Sequence, residues 1–150
     1  MLVSQEPVND SLAARVAVHL MDGDACAQAH GIRVEEVADG YARMVMTVRP
    51  DMLNSHGICH GGMTYLLADT ALAYAANAGN HVTVSTSATI SYPAPAKPGD
   101  VLTAEARAAH QGHRSGVYDV DVRTQDGTLV ALYRGHSRRI GGPVLPQDPA

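Results

Sequence analysis

The chain has 150 residues, 45% of them hydrophobic, and a formal net charge of -4. That is enough for one domain with a real core. The charge argues against non-specific nucleic-acid binding and gives no global steering of anions, so an anionic ligand needs a local basic patch. With no Trp and no Phe, the core must be mostly aliphatic with some Tyr. The two cysteines, Cys26 and Cys59, form no CxxC or other metal framework and fit a reduced cytoplasm.

The first ten residues are polar and acidic and lack the basic-then-apolar layout of a signal peptide. Residues 11–21 read as an amphipathic helix, capped by Asp10 or Ser11 and ended by Gly23; Leu12, Val16, Leu20 and Met21 share one face. A short helical turn over 24–30 is closed by Gly31. Residues 32–38 and 41–49 read as two strands around the hairpin dipeptide Asp39–Gly40. A polar, Gly-rich loop, residues 54–62, then leads into a helix over 61–77 that carries one charge, Asp69. This helix is short for a membrane span and contains Asp69 and Asn77. From 82 to 92 the chain alternates, with Val82, Val84, Thr86, Ala88, Ile90 and Tyr92 expected on one face and Thr83, Ser85, Ser87, Thr89 and Ser91 on another that is solvated or lines a polar groove. A Pro-rich turn follows, then strands over 101–109, 116–124 and 128–138, the last two joined at Asp126–Gly127. The order predicts a long antiparallel sheet with a single central helix packed on it.

A helix that is apolar around most of its circumference is usually buried, and a carboxylate there is costly unless it is paired, protonated or useful. Asp69 is therefore the first candidate for chemistry, though its residue type alone fits equally a structural Asp held by an amide or an Arg. Gly61 and Gly62 open the helix, so their N–H groups lack intrahelical partners and sit at the positive end of its dipole, suited to polarising a carbonyl. Eight positions separate Gly61 from Asp69, about 12 Å of helix rise, whereas a base must lie within about 3 Å of its proton or a bridging water. If both residues act, two antiparallel copies about a two-fold axis must share the site. His56, Cys59 and His60 lack the further ligands of a zinc site, and Cys59 lacks a well-placed base. His60 is assigned to the helix entrance, orienting the loop or the ligand. Among the few basic residues, Lys97, Arg114, Arg138 and Arg139 are candidates to meet a phosphate.

Asn54, His60–Gly61–Gly62, Leu67–Ala68–Asp69–Thr70–Ala71, Ala73–Tyr74–Ala75 and Asn77, at this spacing, resemble the hotdog-fold acyl-CoA thioesterases, most closely the phenylacetic acid degradation subfamily. Ile90–Ser91–Tyr92, the run Pro95 to Asp100 and the run Gly116 to Val120 are similar too, so the likeness spans about residues 30–140. It implies an α+β hotdog fold, a long central helix wrapped by a curved antiparallel sheet. One domain is expected over 1–140, with a helical segment over 1–31 and a flexible tail over 141–150. The resemblance further implies hydrolysis of a coenzyme A thioester, phenylacetyl-CoA or a hydroxylated aryl-acetyl-CoA being candidates. Asp69 would be general base or nucleophile, Gly61 N–H the carbonyl polariser, and His60 and Asn54 supporting groups. Gly62, Met63, Tyr65, Thr70, Tyr92, Lys97 and Arg114 are the expected substrate contacts. No metal or other cofactor, no nucleic acid and no membrane enters; a cytoplasmic homodimer with shared sites, pairing into a homotetramer, is expected. Two rivals remain: a hotdog dehydratase or hydratase using His60 with Asp69, and a non-catalytic acyl-CoA-binding module, against which stands the lack of a convincing helix-turn-helix before the core.

Overall fold

The computed structural model describes residues 10–148; residues 1–9 of the expected N-terminal segment and the last two of the expected tail lie outside the described residues. In chain order come α1 (Leu12–Gly23), α2 (Ala25–Ala29), β1 (Arg33–Ala38), β2 (Tyr41–Thr47), a 3-10 turn (Pro50–Met52), α3 (Gly61–Asn77), β3 (Thr83–Ser91), β4 (Val101–Gln111), β5 (Ser115–Arg123) and β6 (Leu129–Arg139). Ser11 caps α1, its side chain accepting from Ala14 N–H, and Gly40 takes the left-handed φ of 73° that the Asp39–Gly40 turn needs.

The six strands form one antiparallel sheet in the order β1-β2-β4-β5-β6-β3. Helix α3 packs against all six. It supplies Leu67, Ala68, Ala71, Leu72 and Ala75 to the core, facing Met44 and Met46 of β2, Leu102 and Ala104 of β4, and Val120 and Val122 of β5. Small residues let helix and sheet approach closely: a Cβ on Gly135 of β6 would lie 2.3 Å from Leu72 Cδ1. Gly135 is what allows α3 to seat against β6.

The alternation expected in 82–92 holds only in part. Ser85 pairs with Ser137 but Ser87 pairs with His136, so Thr86 is an extra residue, a β-bulge. Parity flips there. Before the bulge Thr83 and Ser85 face α3 while Val84 is exposed; after it Ala88 and Ile90 pack on the core. The expectation of a face that is solvated or lines a polar groove fits Ser85, exposed beside Asp69, but not Thr83, which is buried; an uninterrupted two-residue period cannot register an inserted residue.

The C-terminal segment is anchored in part. Ile140 N–H and Val82 N–H continue the pairing onto Val82 O and Gly142 O, and Leu145 N–H donates to Asn80 Oδ1 at 2.8 Å. The end of α3 is tied to the start of β3 by Asn77, which is buried. Its amide donates to Ala73 O (2.7 Å) and Thr83 O (2.9 Å) and accepts from Thr83 N–H (2.9 Å). Asn77→Ala leaves buried backbone groups unpaired and is expected to cost about 1–3 kcal/mol, read as a lower midpoint in urea unfolding at unchanged slope.

Candidate active site

The loop before α3 folds around Asn54. Its Oδ1 accepts from His56 N–H at 2.9 Å and Ile58 N–H at 3.4 Å, and its backbone N–H donates to Ile58 O at 2.8 Å. Asn54 thus closes an Asx-type turn, with its side-chain amide still available to donate. His60 is the N-cap: its Nδ1 accepts from Gly62 N–H at 3.1 Å. An Nδ1 that accepts leaves the proton of a neutral ring on Nε2, so His60 offers Nε2–H outward. Of the two glycine N–H groups, Gly62's is therefore taken by the cap. Gly61 N–H has no hydrogen-bond partner among the described residues.

Tyr92, just past β3, stands over this helix end. Its hydroxyl donates to Gly61 O at 2.9 Å, and its ring would be 3.1 Å from a Cβ on residue 61. A side chain at this position would crowd the ring, so glycine leaves Tyr92 its place over the helix end. Asn54, Gly61, Thr64, Tyr92 and the turn Pro93–Ala96 line a cleft of about 410 Å³. Cys59 lies in its wall, buried, its thiol within 3.8 Å of Thr64 Oγ1 and pushed above its usual range by burial. That is the environment of an inert thiol.

Asp69 lies outside this cleft, half-buried, and is held by hydroxyls rather than by an amide or an Arg. Tyr133 of β6 donates to its Oδ1 at 2.6 Å and Ser85 of β3 at 3.0 Å. Oδ2 has no partner among the described residues. Tyr133 is only 3% exposed; burial first and the Asp69 carboxylate second hold its phenol far above the usual range, so it stays a protonated donor. Tyr65, 37% exposed, meets the Tyr133 ring edge-to-face at 5.4 Å. Sequence reading missed Tyr133 and Ser85. A signal existed for Tyr133, since a Tyr on the inward parity of a strand has to find a partner for its hydroxyl; Ser85 was hidden by the bulge.

The other expected contacts divide. Gly62 and Tyr65 are exposed and share with Leu66, Asp69 and Ala73 a stripe of α3 that the sheet leaves partly open. Met63 packs against the core. Thr70 does not reach the cleft: it is buried and its hydroxyl donates to Leu66 O at 2.6 Å, one turn back. Lys97 and Arg114, both exposed, flank β4 at opposite ends, roughly 35 Å apart at the rise of an extended strand. One chain therefore does not bring them together.

The thioesterase superfamily matches residues 56–131. The acyl-coenzyme A thioesterase PaaI of Escherichia coli is 46% identical over 125 residues, covering 83% of this chain and 89% of the relative. This chain belongs to the thioesterase superfamily. Its α3-and-sheet arrangement is the hotdog fold, and it is a thioester hydrolase. The structure of E. coli PaaI, from the phenylacetic acid degradation operon, superposes on this thioesterase with a TM-score of 0.87 at 45% identity, covering 88% of this chain and 96% of that one. A hypothetical thioesterase protein of Streptococcus pneumoniae solved with coenzyme A matches with a TM-score of 0.78 at 26% identity, over 83% and 98% of the two chains. In this thioesterase, the contrast between a buried, protonated Cys59 and an exposed Cys26 is directly testable. Maleimide at neutral pH is expected to add once, at Cys26, to the native protein and twice after unfolding, read by intact-mass and peptide mass spectrometry.

Proposed function

We propose that this thioesterase hydrolyses a coenzyme A thioester of an aryl-acetyl acid, phenylacetyl-CoA or a hydroxylated relative, at sites shared by two facing copies. The reaction rests on E. coli PaaI, whose name states acyl-coenzyme A thioesterase activity and which is 46% identical. The observation that carries the mechanism is the separation of two half-sites. Gly61 N–H stands unpaired in a cleft, and Asp69 Oδ2 stands open about 12 Å along the same helix. One chain cannot apply both to one carbonyl.

A second copy completes the arrangement. Strand β3 is a nine-residue sheet edge with open backbone groups, and beside it runs the uncovered stripe of α3, linked to it by Gly61–Tyr92 and Asp69–Ser85. Antiparallel pairing of β3 with its two-fold mate sets Tyr92 and Gly61 of one chain against the start of β3 in the other, the level of Asp69. The thioester oxygen then lies on Gly61 N–H with Asn54 and His60 Nε2–H as further donors. Oδ2 of the facing Asp69 takes the proton of the attacking water, or attacks the carbonyl carbon itself to give a mixed anhydride that water then hydrolyses to the free acid and the carboxylate. Coenzyme A leaves as the thiolate. Tyr133 and Ser85 keep Oδ1 occupied, which fixes the carboxylate so that Oδ2 points at the reaction. The exposed Tyr65 ring beside it favours an aromatic acyl group.

This chemistry calls for no metal or redox cofactor. Dimers pairing into a homotetramer, and a cytoplasmic location, complete the reading; the latter is supported by Cys26 and Cys59 both being free, and no helix among the described residues is long and apolar enough to cross a membrane. Asp69→Asn keeps the shape and removes the base. With phenylacetyl-CoA and thiol release followed by a disulfide reagent, kcat is expected to fall by at least about 10² at unchanged circular dichroism; near-wild-type turnover would overturn the assignment.

A further inference from the structure

Tyr92 is an exposed side chain on a rigid mount. Strand β3 leads into it, ending at Ser91. On its other side stands Pro93–Ala94–Pro95: the first proline keeps Tyr92 in extended backbone, and both prolines fix their own φ. Ala96, next in the chain and buried, accepts Cys59 N–H on its carbonyl at 2.8 Å, which ties this turn to the loop that opens α3. The ring, 48% exposed, is thereby set over Gly61. Its hydroxyl donates to Gly61 O at 2.9 Å. A backbone carbonyl has two lone pairs, so this bond adds to the helical one. Burial first, then the Tyr65 and Cys59 side chains, raise the phenol above its usual range, and it stays a donor.

The hydrogen bond falls on one particular peptide. The Gly61–Gly62 peptide is held at both ends, its N–H by His60 Nδ1 at 3.1 Å and its oxygen by Tyr92. Two adjacent glycines have the widest backbone freedom, and the next N–H back along the chain, that of Gly61, is the one that stands unpaired in the cleft. We propose that Tyr92 is a positioning residue for that donor: its hydroxyl pins the Gly61–Gly62 peptide, so that Gly61 N–H keeps its aim at the thioester oxygen. Spent on Gly61 O, the phenol proton is not the one that meets the substrate. The inference rests on the thioester reading above, in which Gly61 N–H polarises the carbonyl, and adds the group that holds it. An oxyanion donor is effective because it is aimed before the reaction begins. His60 and Tyr92 supply from outside the constraint that a Cβ would otherwise impose.

Tyr92→Phe keeps the ring and removes this hydrogen bond alone. With phenylacetyl-CoA, kcat is expected to fall roughly tenfold, less than the about 10²–10³ of losing an oxyanion donor outright, while KM changes by less than about twofold. Tyr41→Phe, which removes a phenol at the start of β2, is expected to keep the wild-type kcat. Amide hydrogen exchange followed by NMR reads the clamp without turnover. In Tyr92→Phe the protection of Gly62 N–H is expected to fall at least about fivefold, while that of Thr83 N–H, bonded to Asn77 at 2.9 Å, is unchanged. An unaltered kcat, a loss carried by KM alone (which would make Tyr92 a substrate contact), or an unaltered Gly62 exchange rate overturns the inference. A wild type that hydrolyses no phenylacetyl-CoA contradicts the proposed reaction instead, and the Gly62 exchange rate still decides whether Tyr92 holds the peptide.

Discussion

A 17-residue helix with one charge has to be covered, and the packing of α3 against the sheet is the interaction from which the rest of the molecule follows. All six strands contact it, and glycine at 135 removes the side chain that would hold β6 away. Coverage is incomplete by geometry. The sheet ends at β3, leaving the line Gly62, Tyr65, Leu66, Asp69 and Ala73 partly open beside an unpaired edge. Asp69 thus sits on a border, with the core on one side and the surface that a second copy would cover on the other.

That border position decides how the carboxylate is held. A fully buried Asp would need a cation or would give up its charge. Here two hydroxyls, Tyr133 and Ser85, supply hydrogen bonds on Oδ1 alone and leave Oδ2 without a partner among the described residues. The β3 bulge at Thr86 is part of the same device. It turns Ser85 inward to Asp69 and then restores Ala88 and Ile90 to the core. At the other end of α3's open stripe, His60 takes Gly62 N–H by capping and leaves Gly61 N–H to the cleft under Tyr92. On the proposed reading one helix carries both halves of a site, at a spacing that keeps each half from using the other.

Much of this was legible in the sequence because it depends on local chemistry. Asp39–Gly40 marks a hairpin whatever surrounds it, and a lone carboxylate in an apolar run marks a costly position. The Gly61-to-Asp69 distance follows from helix rise alone. The resemblance carried by His60–Gly61–Gly62 and Ala68–Asp69–Thr70 added the reaction. What was not legible depends on tertiary register. A two-residue period cannot announce the extra residue at Thr86, so the turn of Thr83 into the core and of Ser85 toward Asp69 is not visible in it. Thr70 is adjacent to Asp69 in sequence, but one position is about 100° around a helix, which turns it inward to Leu66 O. Tyr133 lies 64 positions from Asp69 and meets it only because β6 lies next to the edge strand. Lys97 and Arg114 read as one basic set in sequence and are separated by the length of β4.

The central claim is that Asp69 and the Gly61 cleft of facing chains form one site, and subunit mixing tests it most directly. Gly61→Val fills the space held by the Tyr92 ring and blocks the cleft; Asp69→Asn removes the carboxylate. Each protein alone should be inactive. After subunit exchange, half the dimers are mixed, and each of these regains one of its two sites, so roughly a quarter of wild-type thioester hydrolysis is expected. No recovery, in a mixture whose hybrid dimers are seen by native mass spectrometry, would contradict the account.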